Sequence, residues 1–299
     1  MPDRRKTAVI TGATSGLGRA VAFRLARNDV RVILLGRRAK IGEKIARKIR
    51  RRHGDDSATF IAADLAEPEQ VRTAAVAIRT DHSVIDILIN NAGARNDQYL
   101  SAANGHEQTF ACNHLGHFLL TCLLLDRLLA APEGGVITVS SGNHGAVPGY
   151  GCWELNRENY DRRLAYARSK MANIVFASEL ARRLSPTKIT SNVYEPGGVF
   201  SSFARNNGLL PWLRHLVSHS LKRDLAMPGR AADGILRLCS PAMQGISGRY
   251  VRREHDVTAL SSFHTSHAAS DLWALSVQAT GIAASELSMA WPFIKPEDQ

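Results

Sequence analysis

The sequence predicts an α/β fold, a single doubly wound parallel sheet with helices on both faces, and two patterns carry that expectation. Short runs rich in β-branched residues alternate with longer helical stretches. The runs are apolar on both faces, as strands covered on each side must be. No linker, repeat or low-complexity segment divides the 299 residues, so one domain spans the chain.

The elements follow in order. TAVIT (7–11) is a strand leading through a glycine-bearing turn into a helix from Gly16 to Arg27. RVILLG (31–36) is the second strand, and Ala39 to His53 a helix with a basic face. TFIAAD (59–64), a helix from Pro68 to Thr80, and DILINN (86–91) continue the alternation. A long helix is expected from Gly105 to Ala130, then strand VITVSS (136–141), a helix from Tyr160 to Leu184, strand KITSNVYEP (188–196) and a last short strand GRYV (248–251). Two stretches interrupt this rhythm. Gly142 to Asp161 is a long connection rich in glycine and aromatic residues. Val199 to Met227 carries Leu209, Leu210, Trp212, Leu213 and Leu216, and reads as a substrate lid, since long loops in compact domains are usually functional. Residues 255–299 are read as a C-terminal tail.

Composition narrows the class of protein. Hydrophobic residues make up 44% and charged residues 22%, an ordinary balance for a packed globule. The opening MPDRRKTAVIT is neither a signal peptide nor an anchor, and Leu115 to Ala131 contains Asp126 and Arg127 and is too short to span a bilayer. A soluble, cytoplasmic protein is expected. The four cysteines are scattered without metal-ligand spacing, so neither disulfide nor metal is expected. The net charge of +11 gathers largely on the 37–52 stretch, but no nucleic-acid motif accompanies it, so nucleic acid is not the expected partner.

The first strand runs into TGATSGLG (11–18). Gly12, Gly16 and Gly18 at a strand-to-helix turn let the backbone approach a pyrophosphate, whose charge then sits on the helix N-terminus. The end of the second strand reports which dinucleotide binds. NAD calls for a carboxylate there and NADP for cations, and this strand ends Leu35-Gly36-Arg37-Arg38. NADP(H) is therefore expected, with Arg37 as the main 2′-phosphate partner and Arg38 as helper.

YARSK (166–170) sets Tyr166 and Lys170 one helical turn apart. Together with TGATSGLG, NNAG (90–93), NHLGHF (113–118) and ITVSS (137–141), in this order and spacing, it makes the chain resemble the short-chain dehydrogenase/reductase family from about residue 6 to 255. SKMANIVFASELARRL (169–184) and the long Ser-to-Tyr connection resemble its retinol dehydrogenase-like branch. The resemblance implies a Rossmann-type domain with Asn113, Ser141, Tyr166 and Lys170 as the catalytic set. It also implies a cofactor site lined by Thr14, Ser15, Leu17, Asp64 near the adenine, Leu65, Asn90, Ala92, Gly93, Pro196, Gly197 and Val199, with Tyr166 and Lys170 at the nicotinamide end. Where the family often has a threonine after PGG, this chain runs Val199-Phe200-Ser201-Ser202.

The chemistry supports that set. A free tyrosine has a pKa of about 10, and a neighbouring ammonium favours its phenolate. Ser141, at the end of a strand, can hydrogen-bond a substrate carbonyl or hydroxyl, and is preferred to Ser140 because the family motif uses the second serine. Asn113 could hold a water leading from Lys170 to solvent. The expected activity is an NADP(H)-dependent interconversion of carbonyl and alcohol on a fairly apolar small molecule. Double-bond reduction, as in protochlorophyllide reductase, and a non-catalytic dinucleotide sensor are the alternatives. A homo-oligomer through the 105–130 and 160–184 helices is possible on the resemblance, unless the apolar stretch Ser285 to Ile294 covers that surface.

Overall fold

The structure, a computed structural model, describes residues 4–150, 152–199, 225–253 and 256–290. Its centre is an eight-stranded sheet in the order β10-β9-β6-β5-β4-β1-β2-β3. These strands are β1 (Thr7–Thr11), β2 (Arg31–Gly36), β3 (Ala58–Ala62), β4 (Ile87–Asn90), β5 (Gly134–Val139), β6 (Ile189–Glu195), β9 (Arg249–Arg252) and β10 (Asp256–Ala259). All neighbours run parallel except β9 and β10, which pair as an antiparallel hairpin. The chain winds outward from β1 in both directions, so the crevice at the carboxyl ends of β1 and β4 is the topological switch point where such sheets bind ligands.

One face of the sheet is covered by α1 (Gly16–Arg27), α2 (Ala39–His53) and α8 (Pro228–Leu238), through Leu17, Val21, Ile45, Ile49 and Ile235. The other is covered by α3 (Pro68–Asp81), α5 (Gly116–Leu123) and α7 (Arg162–Leu184), through Val71, Ile78, Phe118, Leu120, Phe176 and Leu180. The basic stretch lies on α2. Ile45, Ala46 and Ile49 face the sheet, while Lys44, Arg47, Lys48, Arg51 and Arg52 are exposed on the outer side.

The expected helix over 105–130 is interrupted. It begins at α4 (Gln108–Phe110), where the Glu107 carboxylate accepts from the Thr109 and Phe110 amides, passes through a π turn (Ala111–Leu115), and resumes as α5. It breaks at Leu124, because the Leu123 carbonyl is taken by Arg79 Nη1 at 2.8 Å, and α6 (Leu125–Leu129) restarts it. Helix α7 starts at Arg162, capped by the Asp161 carboxylate on the Arg163 and Leu164 amides.

The stretch expected to be a tail is structured over much of its length. It supplies β10, α9 (Ser266–Thr280) and α10 (Ala284–Ala290), and packs Ala268, Ala269, Leu272, Trp273, Ile282 and Leu287 against α5, α7 and the π turn. Of the expected lid, residues 200–224 lie outside the described residues. Its ends are joined by a two-stranded parallel pair, β7 (Gly198–Val199) with β8 (Leu225–Ala226). Among the described residues, no helix is long and apolar enough to cross a membrane.

Candidate active site

The turn after β1 is shaped by close backbone approach. Gly12 has φ of 67°, and a Cβ there would lie 2.8 Å from the Ala92 Cα. A Cβ on Gly18 would lie 2.5 Å from Asn91 Nδ2, which is itself bonded to the Thr11 carbonyl at 2.7 Å. Ser15 caps α1 without a side-chain bond, and the first turn, with Leu17, holds no acid. Its amides therefore face the switch-point crevice with no competing anion, which fits a pyrophosphate.

The adenosine end is built where β2 and β3 finish. Arg38 Nη2 donates to Thr14 Oγ1 at 3.0 Å, fastening the end of β2 to the glycine turn. Arg37, about half exposed, pairs with Asp64 at 3.4 Å. No carboxylate stands at the end of β2, where Arg37 and Arg38 follow directly. Leu65 packs against α5, where a Cβ on Gly116 would meet its carbonyl at 2.1 Å.

Further along the crevice, Asn90 donates to Thr121 Oγ1 at 3.0 Å, and its buried Oδ1 has no hydrogen-bond partner among the described groups. The Ala92 amide donates to Thr11 Oγ1 at 2.9 Å, leading the chain to Gly93 at the rim. Across the crevice, Pro196 and Gly197 leave β6. Gly197 has φ of 68°, and a Cβ there would meet Arg253 Nε at 2.8 Å. Val199 pairs with Ala226 in the small sheet.

The two serines at the end of β5 separate by strand alternation. Ser140 Oγ is buried and donates to the Lys170 carbonyl at 2.8 Å, anchoring α7. Ser141 is half-buried, and its hydroxyl is hydrogen-bonded to Tyr166. His144 braces the same corner, with Nδ1 on the Ser141 carbonyl at 2.8 Å and its ring edge-on to Tyr250 and Phe263. Lys170 Nζ donates to the Val139 carbonyl at 3.1 Å and lies 5.7 Å from the Tyr166 ring centroid.

Electrostatics here differ from the simple expectation of a phenol acidified by lysine. Burial pushes Tyr166 up to about 12, against smaller lowering effects from Ser141 and the charge of Arg95, while Glu195 pushes it up further. Burial also holds Lys170 down at about 8. Without a bound ligand, Tyr166 is a protonated phenol at neutral pH, suited to giving a proton.

Asn113 sits in the π turn, and its side chain is tied to the 94 backbone and to Ser169. Oδ1 accepts from the Ala94 amide at 2.7 Å, and Nδ2 donates to the Ala94 carbonyl and to Ser169 Oγ, each at 2.9 Å. Sequence reasoning missed four residues that shape the site. Asn91 was in plain view inside NNAG. Gly116 sits inside NHLGHF. The charges of Arg95 and Glu195 stand next to motif residues, but their approach to Tyr166 depends on the fold.

Comparisons with known proteins agree with this geometry. The family described as short chain dehydrogenase matches residues 6–208. The chain belongs to that family. Mouse retinol dehydrogenase 14 is 35% identical over 93% of this chain and 86% of its own length, and human retinol dehydrogenase 12 is 34% identical over 93% and 87%. Mouse polyprenol dehydrogenase is 33% identical over 97% and 88%. Among solved structures, an uncharacterised protein from Mycobacterium paratuberculosis superposes with a TM-score of 0.68 at 31% identity, covering 92% of this chain and 93% of that one. As a short-chain dehydrogenase of the retinol dehydrogenase-like branch, the protein is an oxidoreductase of the CH–OH/C=O class that works with a nicotinamide dinucleotide.

Proposed function

We propose that this short-chain dehydrogenase uses NADP(H) to interconvert a carbonyl and an alcohol on a fairly apolar small molecule, with Tyr166 as the proton donor in reduction. The observation that carries the reading is the buried Tyr166 phenol, hydrogen-bonded to Ser141 one turn before Lys170. A reduced nicotinamide, when bound, would supply the hydride. Tyr166 gives its proton to the carbonyl oxygen, and the Ser141 hydroxyl holds that oxygen in place. Lys170, anchored on the Val139 carbonyl, is placed to hold the nicotinamide ribose and to return positive charge to the site as the phenol ionises. Asn113 keeps the 94 backbone and Ser169 in register behind them.

Arg37 and Arg38, with no carboxylate at the end of β2, support NADP(H) over NAD(H). The apolar substrate is supported by the relatives' names, since retinol and polyprenol are both long apolar alcohols. The aromatic residues of the 142–161 connection add little support. Trp153 is buried in the packing of α7 and α9, and the Tyr160 hydroxyl is bonded to the Asn96 carbonyl at 2.8 Å.

The test is a panel of aldehydes and ketones with NADPH, run on wild type and Tyr166→Phe. The ring remains, so NADPH affinity should hold while turnover falls by roughly 10²–10⁴. A variant that keeps most of its activity on a proven substrate would remove the mechanism. Loss of cofactor binding together with activity would make Tyr166 structural.

A further inference from the structure

We propose that His117 is a positioning residue that ties the cofactor turn to the catalytic helix through a single imidazole tautomer. His117 lies on the inner face of α5 and is fully buried, as are Thr11, Asn113 and Ser169. Its Nδ1 is 2.9 Å from the Asn113 carbonyl, and its Nε2 is 2.9 Å from Thr11 Oγ1. A carbonyl only accepts, so the proton is on Nδ1 and Nε2 is the acceptor. Thr11 must then give its one hydroxyl proton to His117 in preference to the Ile89 carbonyl, which is farther away at 3.3 Å. The same Thr11 oxygen accepts from the Asn91 and Ala92 amides, both at 2.9 Å. Every hydrogen-bonding capacity of the pair is used.

The bonds form a directed chain. Thr11, at the last position before Gly12, donates to His117, and His117 donates to the Asn113 carbonyl inside the π turn. Asn113 donates to Ser169, and Ser169 donates to the Tyr166 carbonyl at 2.8 Å. A second strand runs beside it, with Asn90 donating to Thr121 and Thr121 to the His117 carbonyl at 2.7 Å. The first turn of the cofactor site and the backbone of the proposed acid are thus joined through one ring. Both ring nitrogens are needed, and they need opposite characters. An imidazolium would put two donors here and leave Thr11 facing an N–H. Burial, with Lys170 nearby, keeps the ring neutral by holding its pKa down at about 3.

The functional value of this link rests on the oxidoreductase reading above, but its two halves can be separated without turnover. An asparagine amide reaches the position of Nδ1 and a glutamine amide that of Nε2, so the two variants each keep one bond. In His117→Asn, amide hydrogen exchange over 111–118 should stay within about twofold of wild type, while cofactor binding weakens by about five- to tenfold because Thr11 loses its tie to α5 and must turn its proton to the more distant Ile89 carbonyl. In His117→Gln the order should reverse, with affinity held and exchange over 111–118 accelerated about tenfold. His117→Phe should lose both. Affinity is read with NADPH or NADH, whichever binds wild type more tightly, and thermal midpoints are measured alongside. The proposal is overturned if Asn and Gln lose both properties together in step with the thermal midpoint, which would make His117 a core residue only. It is equally overturned if His117→Phe leaves both unchanged. If neither nucleotide binds wild type, the cofactor reading is what fails, and equal exchange in the Asn and Gln variants would then reject the link itself.

Discussion

Tyr166 and Lys170 are both moved from their ordinary pKa values by burial, in opposite directions. For Lys170 this carries a stability consequence whose sign can be worked out. Its folded pKa, about 8, is below the ordinary value of 10.5, so its contribution is favourable above 10.5 and is lost as pH falls through about 8. Below pH 8 the folded protein must hold a buried ammonium or release its proton. Lys170→Met should therefore be inactive yet more stable than wild type at pH 7, by on the order of 3 kcal/mol, with the advantage disappearing towards pH 10.5. Urea unfolding at both pH values checks it, and a variant less stable at pH 7 would contradict it. At the other end of the site, Arg37→Asp would set a second carboxylate opposite Asp64. NADPH affinity should fall tenfold or more, on the order of 2–4 kcal/mol including the new repulsion, and the preference over NADH should narrow or reverse. An unchanged affinity ratio would show that Arg37 does not read the 2′-phosphate.

At the scale of an element, the start of the α4–α5 rod depends on a buried carboxylate. Glu107 accepts from the Thr109 and Phe110 amides, and its own amide donates to the Glu154 carboxylate of the long connection. Burial raises its pKa, the cap bonds work against that, and Glu154 adds to it. A raised carboxyl contributes stability below its ordinary pKa and loses it as pH climbs through the folded value. Glu107→Gln keeps one of the two acceptor oxygens without the charge, so its thermal midpoint should gain on wild type as pH rises above the ordinary carboxyl value of 4.5. Glu107→Ala has no acceptor and should cost about 1–2 kcal/mol at low pH, where the wild-type carboxyl is protonated, with the cost shrinking as pH rises. Equal behaviour of the two variants would mean that the cap bonds contribute nothing.

For the whole molecule, α9 and α10 cover the outer surface of α5 and α7, where the resemblance suggested association between copies. Trp273 lies 5.0 Å from Phe118 and 6.2 Å from Phe176 between ring centroids, with the Arg183 guanidinium over its face at 4.1 Å. Trp273→Ala should cost about 3–5 kcal/mol, read by chemical denaturation. A chain ending before Ser266 should expose the Phe118 and Phe176 face and self-associate, read by light scattering. If the shortened chain keeps the parent's oligomeric state and stability, these helices do not cover an associating surface.

The alternation of strands and helices, the glycine turn and the Tyr166–Lys170 spacing were legible from the sequence, because each depends on local periodicity or on residues close together in the chain. TAVIT, RVILLG and the helix over 39–53 appear where the pattern put them. Helix α9 was not legible. Its buried side is made largely of alanine, serine and threonine at Ala268, Ala269, Ser276 and Thr280, so its apolar stripe is faint until α7 is packed against it. The break at Leu124 depends on Arg79, which arrives from α3. The side chain of Asn113 is committed to Ala94, and His117 to Thr11, only because the π turn and the switch point bring distant segments within hydrogen-bond reach. Motif order and family resemblance pointed to the candidate site groups from the sequence. Burial and long-range hydrogen bonding decided their charge states and which atoms remain available, because desolvation and partner geometry exist only once the chain has closed on itself.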